Sequence, residues 1–368
     1  MRKRVLYLMT TTDRAESYSI IEMARHGVVA TVICEPEAPF RGLLEENGLE
    51  VIPLCMRSKI DLAAIRRLRA LLKERDFDIA HAYYKKVLCL YTLASMGLKR
   101  IPLVAYRGII GNLSYWDPFS WMSFLNPRLD RLICVCEAIR RDFLGKRFLL
   151  FFRLFDPVRV ITIHKGHRVS WYQTHDRRIP ADLEIPEKAV VIGCVARLKK
   201  RKGIVELIRA FEQIPQASNG YLVLVGYVEY AAIHEAVKAS PARGRIRLAG
   251  FRKDAATMAG ALDIITLPSL RREGLPRAII EAMSQRVPAV VSDSGGNPEL
   301  IEDGVSGYVS PAGDVNALRD ALQGLVEDPE RRKRFGEAAQ QRIRDHFTVE
   351  NTARKTLAVY ESLLPQGS

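Results

Sequence analysis

At 368 residues the chain is long enough for two domains, and with 48% hydrophobic residues it can fill two cores. A net charge of +14 asks for anionic partners, but no nucleic-acid-binding motif accompanies it, so nucleic acid is not expected among them. No run reaches the ~18 apolar residues of a spanning helix, and the start, MRKRVLYLMTTT, has too short an apolar stretch for a signal peptide.

In chain order, strands are expected near 5–9, 28–33, 50–54, 78–82, 102–106, 131–136 and 158–163, separated mainly by helical segments. This alternation predicts an α/β, doubly wound amino-terminal domain. Residues 1–165 carry 27 Lys+Arg against 17 Asp+Glu, and the excess is densest at 56–100, with 11 against 4. Within 61–76, Leu62, Ile65, Leu68 and Leu72 recur at helical spacing while Arg66, Arg67 and Arg69 fall elsewhere, which predicts an amphipathic helix with a basic face.

The segment 143–155, FLGKRFLLFFRLF, mixes phenylalanines, Phe151 and Phe152 among them, with basic residues. It suits either the headgroup layer of an anionic membrane or a core element whose basic side chains snorkel. His81, at a strand end, reads as a satisfied structural histidine or as a base. Arg107, followed by Gly108 and Gly111, stands on a loop at the carboxyl end of a strand and is a candidate for binding a phosphate or another anionic acceptor group. The six cysteines show no paired metal spacing and read as small hydrophobes in a reducing compartment. A polar stretch at 164–188 marks the crossover to the second domain.

There, VVIGCVARLKKRKG (190–203) is an apolar strand that ends in Arg197 and a basic loop containing Lys202. A bidentate donor and a flexible point charge at a strand end suit a diphosphate, although the loop taken alone reads first as a solvated basic turn. The stretch 262–303 is strand, loop, helix and strand, with Glu273 and Glu281 eight positions apart. Gly274 supplies a residue free to take positive φ, and Pro276 suits the first position of a helix whose N-terminus attracts an anion. Acceptor-only glutamates on either side of such a site suit hydroxyl groups, such as those of a sugar and a ribose; from spacing alone they are a surface loop residue and a solvated helix residue.

Taken together, these stretches resemble the retaining glycosyltransferases of family 4. Over 188–346 the order and spacing match in the Arg197–Lys202 loop, Gly250-Phe251-Arg252, Glu273-Gly274-Leu275-Pro276, Glu281-Ala282-Met283 and Gly295-Gly296. The resemblance implies the GT-B fold, two facing Rossmann-like domains with a deep cleft between them. It implies an acceptor-binding domain at 1–165, a nucleotide-sugar-binding domain at 166–346 and a terminal helix at 347–368 that crosses back to the first. Arg197 and Lys202 would hold the donor's diphosphate, Glu273 the sugar, Glu281 the ribose, and Phe251 and Arg252 the base.

The amino-terminal half departs from the family pattern. Thr10 to Asp13 replaces a Gly-Gly loop, and Tyr83 stands at a position often occupied by a second histidine. No clustered aspartates offer a metal site, so no cofactor and no metal are expected. The expected function is transfer of a sugar from a UDP- or GDP-sugar to a lipid-linked, lipopolysaccharide or other envelope glycan. The enzyme would be cytoplasmic and attached to the inner membrane face through Arg66, Arg67, Arg69, Phe151 and Phe152. A 2-epimerase-like enzyme and a nucleotide-sugar-binding subunit without transfer activity are the alternatives.

Overall fold

The computed structural model describes residues 2–111, 113–148, 152–153, 155–172 and 179–364. The chain forms two compact units: the amino-terminal chain up to Gly166 together with the chain from Val349 onward, and His167–Thr348.

The first stretch runs β1 (Lys3–Leu8), α1 (Arg14–Arg25), β2 (Val28–Cys34), α2 (Arg41–Glu46), β3 (Glu50–Pro53), α3 (Leu62–Glu74), β4 (Ile79–Ala82) and α4 (Lys85–Ala94). It continues with β5 (Leu103–Arg107), α5 (Pro118–Trp121), β6 (Leu129–Cys134), α6 (Glu137–Leu144), a two-residue hairpin pair β7 (Arg147–Phe148) and β8 (Phe152–Arg153), and β9 (Val160–Thr162). The second stretch holds β10 (Val190–Val195), α7 (Ile204–Glu212), β11 (Gly220–Val225), α8 (Ala232–Ala239), β12 (Ile246–Gly250), α9 (Ala255–Ala259) and β13 (Ile264–Leu267). It ends with α10 (Arg277–Met283), β14 (Ala289–Ser292), α11 (Asn297–Leu300), β15 (Gly307–Ser310), α12 (Val315–Val326) and α13 (Pro329–His346), before the last helix, α14 (Val349–Glu361).

The first unit has a seven-stranded parallel sheet in the order β3-β2-β1-β4-β5-β6-β9, and the second a six-stranded parallel sheet in the order β12-β11-β10-β13-β14-β15. Parallel strands covered by helices on both faces are apolar throughout, which is why Val5 to Leu8 and Ile264 to Leu267 contain almost no exposed side chain. Both strand orders reverse at one place, between β1 and β4 and between β10 and β13. Loops leaving neighbouring strands there diverge and open a crevice at the carboxyl edge of the sheet.

Helix α14 belongs to the first unit and packs on α1. Its Thr352 Oγ1 donates to the His164 carbonyl at 2.7 Å, and its Tyr360 hydroxyl lies 2.6 Å from His81 Nδ1.

Three expectations need correction. In α3 only Ala64 and Leu68 are buried, Leu62 is 63% exposed, and Arg69 donates to the carbonyls of Ala94 at 2.9 Å and Met96 at 2.6 Å, so its charge is committed to α4. Segment 143–155 is not one element: Phe143 is buried at the end of α6 with its ring 5.0 Å from that of Phe155, and the hairpin follows. Phe152 lies on β8, and Phe151 lies outside the described residues. Five cysteines are buried, but Cys55 is exposed.

Candidate functional site

The reversal between β10 and β13 is built by two loops in contact. Gly203 takes a left-handed φ of +67°, and a Cβ there would lie 2.0 Å from the Pro268 carbonyl oxygen, so only glycine lets the basic turn after β10 rest on the loop after β13. The Leu270 amide donates to the Arg201 carbonyl at 2.8 Å across the same junction.

This brings Lys202 Nζ to 2.7 Å from Glu273 Oε1, with the Ser269 hydroxyl at 2.8 Å and an Arg201 nitrogen at 3.2 Å from the same oxygen. The Glu273 backbone is held from the other side. Gly295 has φ +62°, its added Cβ would fall 2.1 Å from the Glu273 carbonyl oxygen, and the Gly296 amide donates to that oxygen at 3.2 Å. Glu273 is thus 5% exposed, fixed, and surrounded by cations.

The loop's left-handed residue is Arg272, φ 61°, and not the expected Gly274. Pro276 caps α10 from outside with ψ 115° instead of occupying its first turn, and Leu275 packs against the core between them. Helix α10 has only seven residues, so its dipole adds little beside the full charges of Lys202 and Arg201. Four apolar residues of α10 are buried, Ile279, Ile280, Ala282 and Met283, and they fix the face from which Glu281 projects.

Glu281 is 8% exposed and pairs with Arg277 Nε at 3.1 Å. Burial raises its pKa, and the Arg277 charge opposes the rise only in part. Glu281 and Arg277 line a cavity of about 710 Å³ together with Arg197, Tyr227, Phe251 and Arg252, a volume within the range of ligand sites. Arg197 is exposed, and its guanidinium has no partner among the described residues. The rings of Tyr227 and Phe251 stack in parallel, 4.9 Å apart and 6° from coplanar, although both are more than half exposed. Arg252 is paired with Asp254 and Asp182, each at 3.0 Å.

The structure therefore brings Arg197, Phe251, Arg252 and Glu281 into one cavity and sets Lys202 and Glu273 beside it as a separate ionic cluster. Sequence reasoning passed over Arg201, Arg277 and Tyr227. Arg277 stands four residues before Glu281, a helical ion-pair spacing that was there to be read. Tyr227 carried no signal of its own.

In the first unit, His81 is buried, its ring stacked 4.5 Å from that of Tyr83, and burial lowers its pKa to about 3. His81 Nε2 finds no partner among the described residues. The Arg107 guanidinium is turned inward: it lies 4.6 Å over the Phe124 ring and donates to the carbonyls of Ile109, at 3.0 Å, and Gly111. It holds its own loop rather than projecting from it. Nearby, Lys165 bridges Asp13 and the buried Glu16. Among the described residues no three His, Cys, Asp or Glu side chains are placed to hold a metal ion, and no helix is long and apolar enough to cross a membrane.

Residues 175–342 match the family model described as glycosyl transferases group 1, and residues 20–166 match that of glycosyltransferase family 4. The lipopolysaccharide core biosynthesis mannosyltransferase LpcC of Rhizobium leguminosarum bv. viciae is 34% identical over 181 residues, 47% of this chain and 51% of that protein; the chain thus spans about half the length of this relative. The N-acetyl-alpha-D-glucosaminyl L-malate synthase of Bacillus anthracis is 24% identical over 83% of this chain and 80% of its own length. Among solved structures, Anabaena HepE in complex with UDP superposes with a TM-score of 0.76 at 22% identity, over 98% of this chain and 100% of that one. A glycosyltransferase from Rickettsia africae superposes with a TM-score of 0.78 at 18% identity over the whole of both chains.

Proposed function

The chain belongs to the family 4 type of glycosyltransferases with the GT-B α/β fold, and on that premise we propose that it transfers a sugar from a nucleoside-diphosphate sugar to a lipid-linked, lipopolysaccharide or other envelope glycan at the inner membrane face. The observation that carries this reading is the pairing of an open cavity, holding a buried Glu281 and an Arg197 without a partner among the described residues, with the Lys202–Glu273 cluster at the reversal between β10 and β13. Such a pair of neighbouring sites offers hydroxyl acceptors on both sides of a concentration of positive charge, which is what a sugar, a diphosphate and a ribose require in that order.

In this reading the base lies against Phe251 at the cavity rim, with Tyr227 backing it. Glu281 accepts from the ribose hydroxyls, giving up part of its contact with Arg277. Arg197, Lys202 and Arg201 take up the charge that develops on the diphosphate as the bond to the anomeric carbon breaks. Glu273 orients the sugar. The acceptor hydroxyl adds to the same face that the diphosphate leaves, its proton passes to the departing phosphate oxygen, and configuration is retained as the family resemblance implies. These side chains supply the countercharge without a divalent ion.

The complexes of HepE with UDP and with UDP-glucose and the naming of LpcC as a lipopolysaccharide core biosynthesis mannosyltransferase support a nucleotide sugar and an envelope glycan as the substrate classes here. The test is a thermal-shift panel of UDP- and GDP-sugars, followed by incubation of the stabilising, radiolabelled donor with cell membranes. Label in the lipid or polysaccharide fraction is the expected result. Isomerised nucleotide sugar, or binding with no product, would replace transfer by epimerisation or by a binding role.

A further inference from the structure

The amino-terminal unit carries large apolar side chains that its own core does not cover. Trp116 is 94% exposed, Leu62 63%, Ile60 50% and Trp121 40%. Single exposed apolar residues are ordinary, but two tryptophans and two aliphatics on two touching loops and the short helix and helix start that follow them are not scattered.

These residues are joined by specific contacts. Lys59 Nζ lies 4.4 Å over the ring of Phe119, which ties the loop after β3, with Ile60 and Leu62, to the turn at 115–121. That turn is rigid: Asp117 caps α5 through the Phe119 amide at 3.0 Å and binds Lys85 Nζ at 2.6 Å, and Trp121 Nε1 donates to the Tyr115 carbonyl at 2.8 Å. Both tryptophans are thus carried on a braced turn. Both loops leave the carboxyl ends of parallel strands, so they emerge at one edge of the sheet.

The surrounding charge is mainly positive. Arg57, Lys59, Arg66 and Arg67 stand on or beside the loop and α3, with Arg66 one turn from Leu62 on the same helix face. Two carboxylates stand among them: Asp61 keeps its charge but is turned to the start of α3, where it accepts from the Ala63 amide and from the Arg57 amide at 3.0 Å, and the charge of Asp117 is offset by Lys85. Tryptophan with aliphatic neighbours inside a ring of Arg and Lys matches the headgroup layer of an anionic bilayer, where the rings sit at the interface and the cations meet lipid phosphate. A second copy of the chain would set this basic ring against itself.

We infer that Ile60, Leu62, Trp116 and Trp121, ringed by Arg57, Lys59 and Arg66, form the surface by which the amino-terminal unit enters an anionic membrane. The inference rests on the proposed membrane-borne acceptor and moves the contact away from Arg69 and the phenylalanine-rich segment. The test uses the full chain with vesicles of phosphatidylglycerol and phosphatidylcholine, and with brominated lipid as a quencher of tryptophan emission. Wild-type protein should bind the phosphatidylglycerol vesicles, lose emission to brominated lipid and bind phosphatidylcholine alone less well. Trp116→Ser with Trp121→Ser should weaken binding about tenfold or more, as removal of inserted rings requires, while nucleotide-sugar binding by thermal shift is unchanged. Trp171, the remaining tryptophan, should be insensitive to the quencher. Unchanged vesicle binding in the double variant, or wild-type protein that binds nucleotide sugar but ignores anionic vesicles at low salt, overturns the inference. So does a double variant whose only change is a smaller assembly by sedimentation velocity, which would assign the patch to a second copy. Failure of the wild type to bind any nucleotide sugar would strike the proposed transfer and leave the vesicle result to stand by itself.

Discussion

Lys202 Nζ lies 2.7 Å from Glu273 Oε1, in a pair whose side chains are 11% and 7% exposed. In the proposed reading a donor diphosphate draws the lysine away from this carboxylate, and the sugar meets Glu273 only once it has done so. Glu273→Gln keeps the shape and removes the competing charge. It should bind free nucleoside diphosphate more tightly, by roughly 3- to 10-fold, the worth of one partly buried charge pair, while turnover of the nucleotide sugar falls by ~10² or more. Calorimetry with the nucleotide alone decides it; weaker binding would mean that Glu273 organises the phosphate site instead of opposing it.

Arg197 and Lys202 carry different risks when removed. Arg197 is exposed and unpartnered among the described residues, so Arg197→Ala should fold normally, whereas Lys202→Ala leaves Glu273 with Arg201 and Ser269. Both should lower turnover by ~10²-fold or more, because each takes away charge stabilisation of the leaving group worth roughly 3 kcal/mol. Added chelator should leave wild-type turnover unchanged. Near-native rates in either folded variant would remove that residue from the diphosphate site.

The chain order of strands and the two loops of the second sheet were legible because they rest on local signals: apolar runs bounded by Pro, Gly and charge. Less legible was the use to which each arginine is put. Arg69 and Arg107 look like surface cations in the sequence, yet both spend their donors on backbone carbonyls, Arg107 over an aromatic ring. Long-range packing decides this, and no spacing rule encodes it. Trp116 and Tyr227 failed in the other direction, since nothing local says that an aromatic side chain will be left outside.

Glu281 should give nucleotide binding a pH dependence of its own. Burial among the α10 core residues raises its pKa above the usual ~4.3 of glutamate, against the pull of Arg277. As pH falls through that raised value the carboxylate gains a proton and loses acceptor capacity, so affinity for the nucleoside diphosphate should drop at a pH where an exposed glutamate is still ionised. Glu281→Gln should bind more weakly at neutral pH and lose this acid limb. Calorimetry across the weakly acidic range would show it, and an identical acid limb in the variant would assign the titration to another group.

His81 is expected to matter for stability and not for proton transfer. In the folded chain its pKa is pushed down to about 3 by burial, against ~6.5 for an unfolded histidine. The folded state therefore binds the proton less well than the unfolded state. The stabilisation from keeping the ring neutral is complete above ~6.5 and is lost progressively as pH falls from there toward 3. His81→Phe removes the titrating group, so the ratio of its stability to that of the wild type should rise as the solution is made acid, although it leaves the Tyr360 hydroxyl without its 2.6 Å partner at neutral pH. His81→Ala also opens a hole between Tyr83 and Tyr360, and should cost about 2–4 kcal/mol in denaturant unfolding. Turnover of whatever fraction remains folded should stay within a few-fold of wild type, with no change in the pH profile between 5 and 8. A shifted pH profile in the folded His81→Phe variant would instead give this imidazole a part in the chemistry.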